Sequence, residues 1–158
     1  CEDEFLKQAK DILFLANRKN VNLHFPEDVI VSREISKTST TEVASIYNIP
    51  THMEGLDVGP KTLNKFSKII LKSNTILWNG PVGVFEIPNF QNGTKQIALA
   101  IAKATECGAF SLVGGGDSIS AIKLFRMDDK FSYISTGGGA MLESIEGKVL
   151  PGIKSILN

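Results

Sequence analysis

The sequence predicts a three-layer α/β fold, a parallel sheet flanked by helices. Three observations carry this expectation. Short β-prone apolar runs alternate with segments whose apolar residues recur at helical spacing. Three of those runs, Thr75-Ile76-Leu77-Trp78, Ala109-Phe110-Ser111-Leu112-Val113 and Phe131-Ser132-Tyr133-Ile134, lead into glycine-rich loops. Strand, loop and helix then recur in order, which favours right-handed βαβ units and a parallel sheet.

The elements follow in turn. Phe5, Leu6, Ala9, Ile12, Leu13 and Ala16 predict an amphipathic helix over residues 4 to 19. Val21 to Phe25 is short, apolar and partly alternating, and Pro26 ends it; Val29-Ile30-Val31 is a second β-prone patch. Residues 36 to 41 are polar and predict a loop or exposed edge. Gly55-Leu56-Asp57-Val58-Gly59-Pro60 predicts a turn, and Pro60 suits the first turn of a helix with Leu63, Phe66, Ile69 and Ile70 on its apolar face. Thr75 to Trp78 predicts a buried strand, Gln96 to Cys107 a helix, Phe110 to Val113 a strand and Ser118 to Phe125 a short helix. Tyr133-Ile134 is a weak last strand, Ala140 to Ile145 a short helix, and Pro151 to Leu157 a terminal helical turn. The layout is Rossmann-like, and no internal repeat or low-complexity linker divides it.

Composition narrows the function classes. The chain has 158 residues, 42% hydrophobic and 22% charged, as an ordinary globular domain does. Seventeen basic residues balance seventeen acidic ones without a basic patch, which argues against nucleic acid or an anionic membrane as partner. No run approaches the ~18 apolar residues of a membrane span. Cys1 and Cys107 are too few for a disulfide framework or a metal cluster and read as plain thiols. The acidic start lacks a signal-peptide pattern and an initiator methionine. It opens straight into a helical pattern, so the chain is expected to be a piece of a longer one and its domain incomplete.

The glycine-rich loops carry the chemistry. They read Trp78-Asn79-Gly80-Pro81-Val82-Gly83-Val84-Phe85-Glu86, Gly114-Gly115-Gly116-Asp117-Ser118 and Ser135-Thr136-Gly137-Gly138-Gly139-Ala140. In open α/β sheets ligands sit beyond the carboxyl ends of the strands. Three loops at such ends predict one nucleotide-sized site. Gly114 to Gly116 can present backbone N–H groups at a helix start, which suits phosphate. Asp117 would repel phosphate unless it caps its own helix or holds a divalent cation that binds the phosphates; both readings stand at this point. Gly137 to Gly139 can supply donors to a transferring phosphoryl group or form a tight turn, with Thr136 or Ser135 capping the helix after it. Glu86 can accept hydrogen bonds from ribose hydroxyls or be a solvated surface charge. Trp78 reads as core. The P-loop pattern and the G-x-G-x-x-G dinucleotide fingerprint are both absent. His24 and His52 lie far from any nucleophile motif and read as non-catalytic.

Five segments then occur in family order: Gly55 to Pro60, Trp78 to Glu86, Gly114 to Ser118, Ser135 to Ala140, and Leu142-Glu143 with Glu146-Gly147-Lys148-Val149-Leu150-Pro151-Gly152. Together they resemble phosphoglycerate kinase, and the match spans essentially the whole chain. It looks like the C-terminal part of that family's nucleotide-binding domain. The resemblance implies reversible phosphoryl transfer between 1,3-bisphosphoglycerate and ADP, giving 3-phosphoglycerate and ATP with Mg2+. It implies that Glu86 bonds the ribose, that Gly55, Leu56 and Val84 line the adenine pocket, and that Asn79 and Pro81 sit close to the nucleotide. Asp117 would bind the magnesium, Gly115, Gly116 and Ser118 the phosphates, and Gly137, Gly138 and Gly139 would face the transferring group. The family pattern also implies a cytoplasmic monomer whose N-terminal domain, not in this chain, binds the phosphoglycerate. Ser118 stands where the family has threonine, and Glu54 at a commonly apolar position. A family glycine-lysine segment is missing, and no lysine lies in the three loops. The segment alone is therefore expected to be inactive and its sheet to expose an edge. The alternative class is a non-catalytic nucleotide-binding α/β module.

Overall fold

The structure, a computed structural model, describes residues 3–157. Cys1 lies outside the described residues, and Cys107 is an exposed free thiol. A single 3-10 turn, Asp3–Phe5, leads into α1 (Leu6–Arg18), as the periodicity predicts. Val21 to Phe25 forms no strand, because a strand needs a ladder partner for its N–H and C=O groups. Leu23 and Phe25 instead line an apolar hollow with Ala9, Ile12 and Leu13 of α1.

The described strands form two sheets rather than one. In the first, β1 (Asp28–Ser32) lies between β2 (Glu42–Ser45) and β3 (Glu54–Val58), antiparallel to both. Gly55 to Val58, expected to be a turn, is therefore mostly strand. Its glycine and aspartate are unusual in strands, but pairing to Val29, Ile30 and Val31 overrides that preference. The pairing steps from Ile30↔Asp57 to Val31↔Gly55, so Leu56 is skipped and β3 bulges there.

Asp28 fastens β1 to α2 (Pro60–Ile70). Its carboxylate accepts the N–H groups of Lys61 (3.0 Å) and Thr62 (2.8 Å), two of the orphan donors of a helix start. Thr62 Oγ1 in turn accepts the N–H groups of Glu27 and Asp28. A Cβ at Gly59 would fall on the Asp28 carboxylate, which explains the glycine. Burial raises the Asp28 pKa, but the Thr62 and Lys61 hydrogen bonds outweigh it and hold the group below the usual carboxylate value of 3.8. Its stabilising contribution is thus present above that value and lost as pH falls through the lower folded-state one. Asp28→Ala is expected to cost about 2–4 kcal/mol in a urea titration, a lost cap plus stranded buried donors.

The second sheet is parallel, as predicted, with order β4 (Thr75–Asn79), β5 (Phe110–Gly114), β6 (Tyr133–Ile134). Ile76, Trp78 and Val113 on one face pack with Ile97 and Ile101 of α3 (Asn92–Glu106) and Ile122 of α4 (Gly116–Leu124). Trp78 is 6% exposed, tilts against Phe131 at 6.2 Å between ring centroids, and donates Nε1–H to Gly80 O at 2.7 Å. It is core, as read. Leu77, Phe110 and Tyr133 alternate onto the opposite face and are exposed. β4 pairs only with β5 among the described residues, so its other edge is open. The chain ends with α5 (Gly138–Ile145) and α6 (Pro151–Leu157). Among the described residues no helix is long and apolar enough to cross a membrane.

Candidate functional site

The three glycine-rich loops meet at the carboxyl ends of β4, β5 and β6. Parallel register sets them side by side, with Asn79 opposite Gly114 and Val113 opposite Ile134. Specific contacts then lock them. Gly80 N–H donates to Ser118 Oγ at 2.7 Å, joining the first loop to the second. Gly115 takes φ +86°, a conformation glycine adopts without strain, and its open side faces Asn79 Oδ1. The third loop lies against the second: a Cβ at Gly138 would stand 2.7 Å from Gly115 N. Ser135 N–H continues the ladder to Val113 O at 2.8 Å.

Two helices start in this cluster. α4 has Gly115 at its N-cap and α5 has Gly137, and neither start has a side-chain cap. Asp117 therefore does not cap its helix, because the left-handed Gly115 places the cap two residues earlier. Ser135 and Thr136 do not cap α5 either. The first-turn N–H groups of both helices, Gly116 to Ser118 and Gly138 to Ala140, are left to an outside acceptor, the arrangement that suits phosphate. Asp117 is exposed in the first turn of α4 and has no side-chain hydrogen bond or ion pair among the described residues. Ser118 is fully buried, so its hydroxyl serves as a strut between two loops.

The first loop also reaches the antiparallel sheet. Val84 N–H donates to Leu56 O at 2.9 Å, at the residue that the β3 bulge leaves without a partner on β1. This brings Val84, Leu56 and Gly55 into one region. Leu56 is 6% exposed, while Gly55 is exposed, and a Cβ there would meet Val29 at ordinary contact distance. Pro81 is half-buried and Glu86 exposed on the same loop. A separate, mostly apolar hollow beside Gly80 is lined by His24, Phe66, Ile69, Ile70, Trp78, Val82 and Ile97. Its only titratable side chain is His24.

Asp57 was not singled out from sequence. It is 3% exposed and accepts Val58 N–H (2.8 Å) and Gly93 N–H (2.7 Å). Burial pushes its pKa up to about 6 despite those two bonds from Gly93 and Val58. Between 3.8 and about 6 the folded chain holds a proton that the unfolded chain releases, so this group's contribution falls as pH rises through that window, opposite to Asp28. The sequence signal was a lone carboxylate between Leu56 and Val58, because a charge in an apolar strand demands partners.

A family model described as phosphoglycerate kinase matches residues 1–148. A phosphoglycerate kinase of Porphyromonas gingivalis is 52% identical over 155 residues, covering 98% of this chain and 37% of that protein. The solved phosphoglycerate kinase of Coxiella burnetii aligns at a TM-score of 0.91 and 45% identity, over 98% of this chain and 39% of that one. That of Pyrococcus horikoshii aligns at 0.79 and 31%, over 98% and 36%. The chain thus spans well under half the length of these relatives.

Proposed function

The chain belongs to the phosphoglycerate kinase family, and from that premise we propose that residues 1–158 are the C-terminal part of its nucleotide-binding domain. The complete kinase moves a phosphoryl group between 1,3-bisphosphoglycerate and ADP, yielding 3-phosphoglycerate and ATP. The observation that carries this is the convergence of two uncapped helix starts and the exposed Asp117 on three interlocked strand-end loops. The first-turn N–H groups of α4 and α5, with Gly115, Gly116 and Gly137 to Gly139, bind and align the phosphates. Ser118 acts on the phosphates by fixing the second loop to the first. Gly55, Leu56, Val84, Asn79 and Pro81 form the base side, and Glu86 accepts from the ribose.

Magnesium fits this site. Asp117 supplies one free carboxylate, and the ion characteristically takes one or two carboxylates with the remaining ligands from water and substrate phosphates. No cluster of three potential metal-ligating side chains competes among the described residues. Asp117 would hold the ion, which when bound offsets phosphate charge. Phosphoryl transfer of this kind rests on positioning and charge neutralisation.

No lysine stands in the three loops, so this chain binds nucleotide without turning it over. The phosphoglycerate and further phosphate-binding cations come from outside it. A coupled assay tests the proposal. The complete kinase is expected to consume ATP only when 3-phosphoglycerate is present, and this chain alone not at all. Absence of 3-phosphoglycerate-dependent turnover in the complete kinase would overturn the assignment.

A further inference from the structure

The base-and-ribose side of the site sits on a loop that is held from two directions. Val84 is bonded to Leu56 of β3, and Val82 N–H donates to Thr94 Oγ1 of α3 at 3.2 Å. Between these two points lies the Asp57 carboxylate. One oxygen takes the N–H of Val58, and the other takes the N–H of Gly93, at the start of α3. The side chains of Asp57 and Thr94 are 3% and 0% exposed at the residue level.

The space around the carboxylate is built from absent side chains. A Cβ at Gly83 or at Gly93 would fall on Asp57 Oδ1, and one at Gly83 would also stand 2.6 Å from Phe90 O. Gly83 belongs to the loop and Gly93 to α3. The carboxylate therefore keys three segments together at a point where no other side chain fits. A buried charge costs free energy unless its hydrogen bonds compensate. An apolar residue would fill the volume but would strand the Gly93 N–H at an otherwise uncapped helix start.

We infer that Asp57 is a positioning residue which, with Thr94, clamps the 81–86 loop between β3 and α3 and so sets the geometry of the base-and-ribose side of the nucleotide site. This rests on the nucleotide reading above. The clamp makes no hydrogen bond to the α4 or α5 helix starts, so its loss separates recognition of the nucleoside from recognition of the phosphates. A purely structural role would weaken both together.

The test compares ADP with inorganic tripolyphosphate, each with magnesium, by calorimetric titration of the complete kinase. Asp57→Asn keeps the volume but presents an NH2 to one of the two N–H donors. It is expected to weaken ADP binding on the order of tenfold, the scale of a hydrogen bond to a charged group. Tripolyphosphate affinity should change less than about twofold. KM for ADP should rise in proportion, with kcat at saturating nucleotide largely kept. Thr94→Val, a near-isosteric change, carries the same test should Asp57→Asn fail to fold, with ADP weakened roughly threefold. Equal losses for both ligands, or an unchanged ADP affinity, would overturn the clamp. Wild-type kinase that binds tripolyphosphate but not ADP would overturn the nucleotide reading, and the clamp with it.

Discussion

Gly138→Ala is expected to lower kcat of the complete kinase roughly a hundredfold, the cost of misplacing reacting groups by about an ångström. The added methyl group would stand 2.7 Å from Gly115 N and 3.0 Å from Gly115 Cα. Both are backbone atoms of the neighbouring loop, so neither yields as a flexible side-chain tip would. One of the two loops must move, and each begins a helix whose first-turn N–H groups are the proposed phosphate donors. Overpacking of this kind costs about 1–3 kcal/mol of stability. Gly139→Ala is the control for folding, because a Cβ there meets nothing within 4 Å. Its melting temperature should not fall. Steady-state kinetics and thermal melts of the two variants check the contrast; equal melting temperatures and near-normal kcat in Gly138→Ala would show that the loops are not locked as described.

Asp117→Asn is expected to remove at least about tenfold of the magnesium-dependent gain in ADP affinity. It withdraws one full charge from the proposed magnesium site, where no group of three metal-ligating side chains forms among the described residues. Stability should change by less than about 1 kcal/mol, because the residue is exposed and contributes only a helix-dipole interaction. Affinity without magnesium should hold or rise slightly, since a carboxylate no longer faces the phosphates. Titrations of wild type and variant, with magnesium and with a chelator, read this directly. A loss of equal size in both conditions would assign Asp117 a role unrelated to the cation.

How far the sequence carried the fold depended on whether each element's cause was local. α1, α2 and the parallel strands follow from apolar spacing and from Pro60, so they were readable, as were the three loops. β2 was not, because Glu42–Ser45 is a mostly exposed edge strand with no buried alternation to betray it. β3 reads as a turn in the sequence because Gly55 and Gly59 carry that signal when taken singly. Gly55 pairs with Val31, while Gly59 makes room for Asp28, and both partners lie far away in sequence. The start of α3 at Asn92 rather than Gln96 has the same origin. Asn92-Gly93-Thr94 looks like a loop until Asp57 takes the Gly93 N–H.

The site divides along the same line. Loop membership of Asn79, Glu86, Gly115, Asp117 and Gly138 was visible in the pattern. That Asp117 does not cap α4 was not, because it turns on the φ of Gly115 and on where α4 begins. The strut from Ser118 to Gly80 and the Asp57 clamp are contacts across 38 and 36 residues. Composition and periodicity carry no information about such pairs.

The central claim is that three loops and Asp117 form a magnesium-dependent nucleotide site. Calorimetric titration of this purified chain with ADP, with and without magnesium and with circular dichroism to establish its fold, tests it most directly. The account predicts binding, weak without the rest of the kinase, that strengthens when magnesium is added. A folded chain that binds no ADP, or binds it equally well in the presence of chelator, would contradict it.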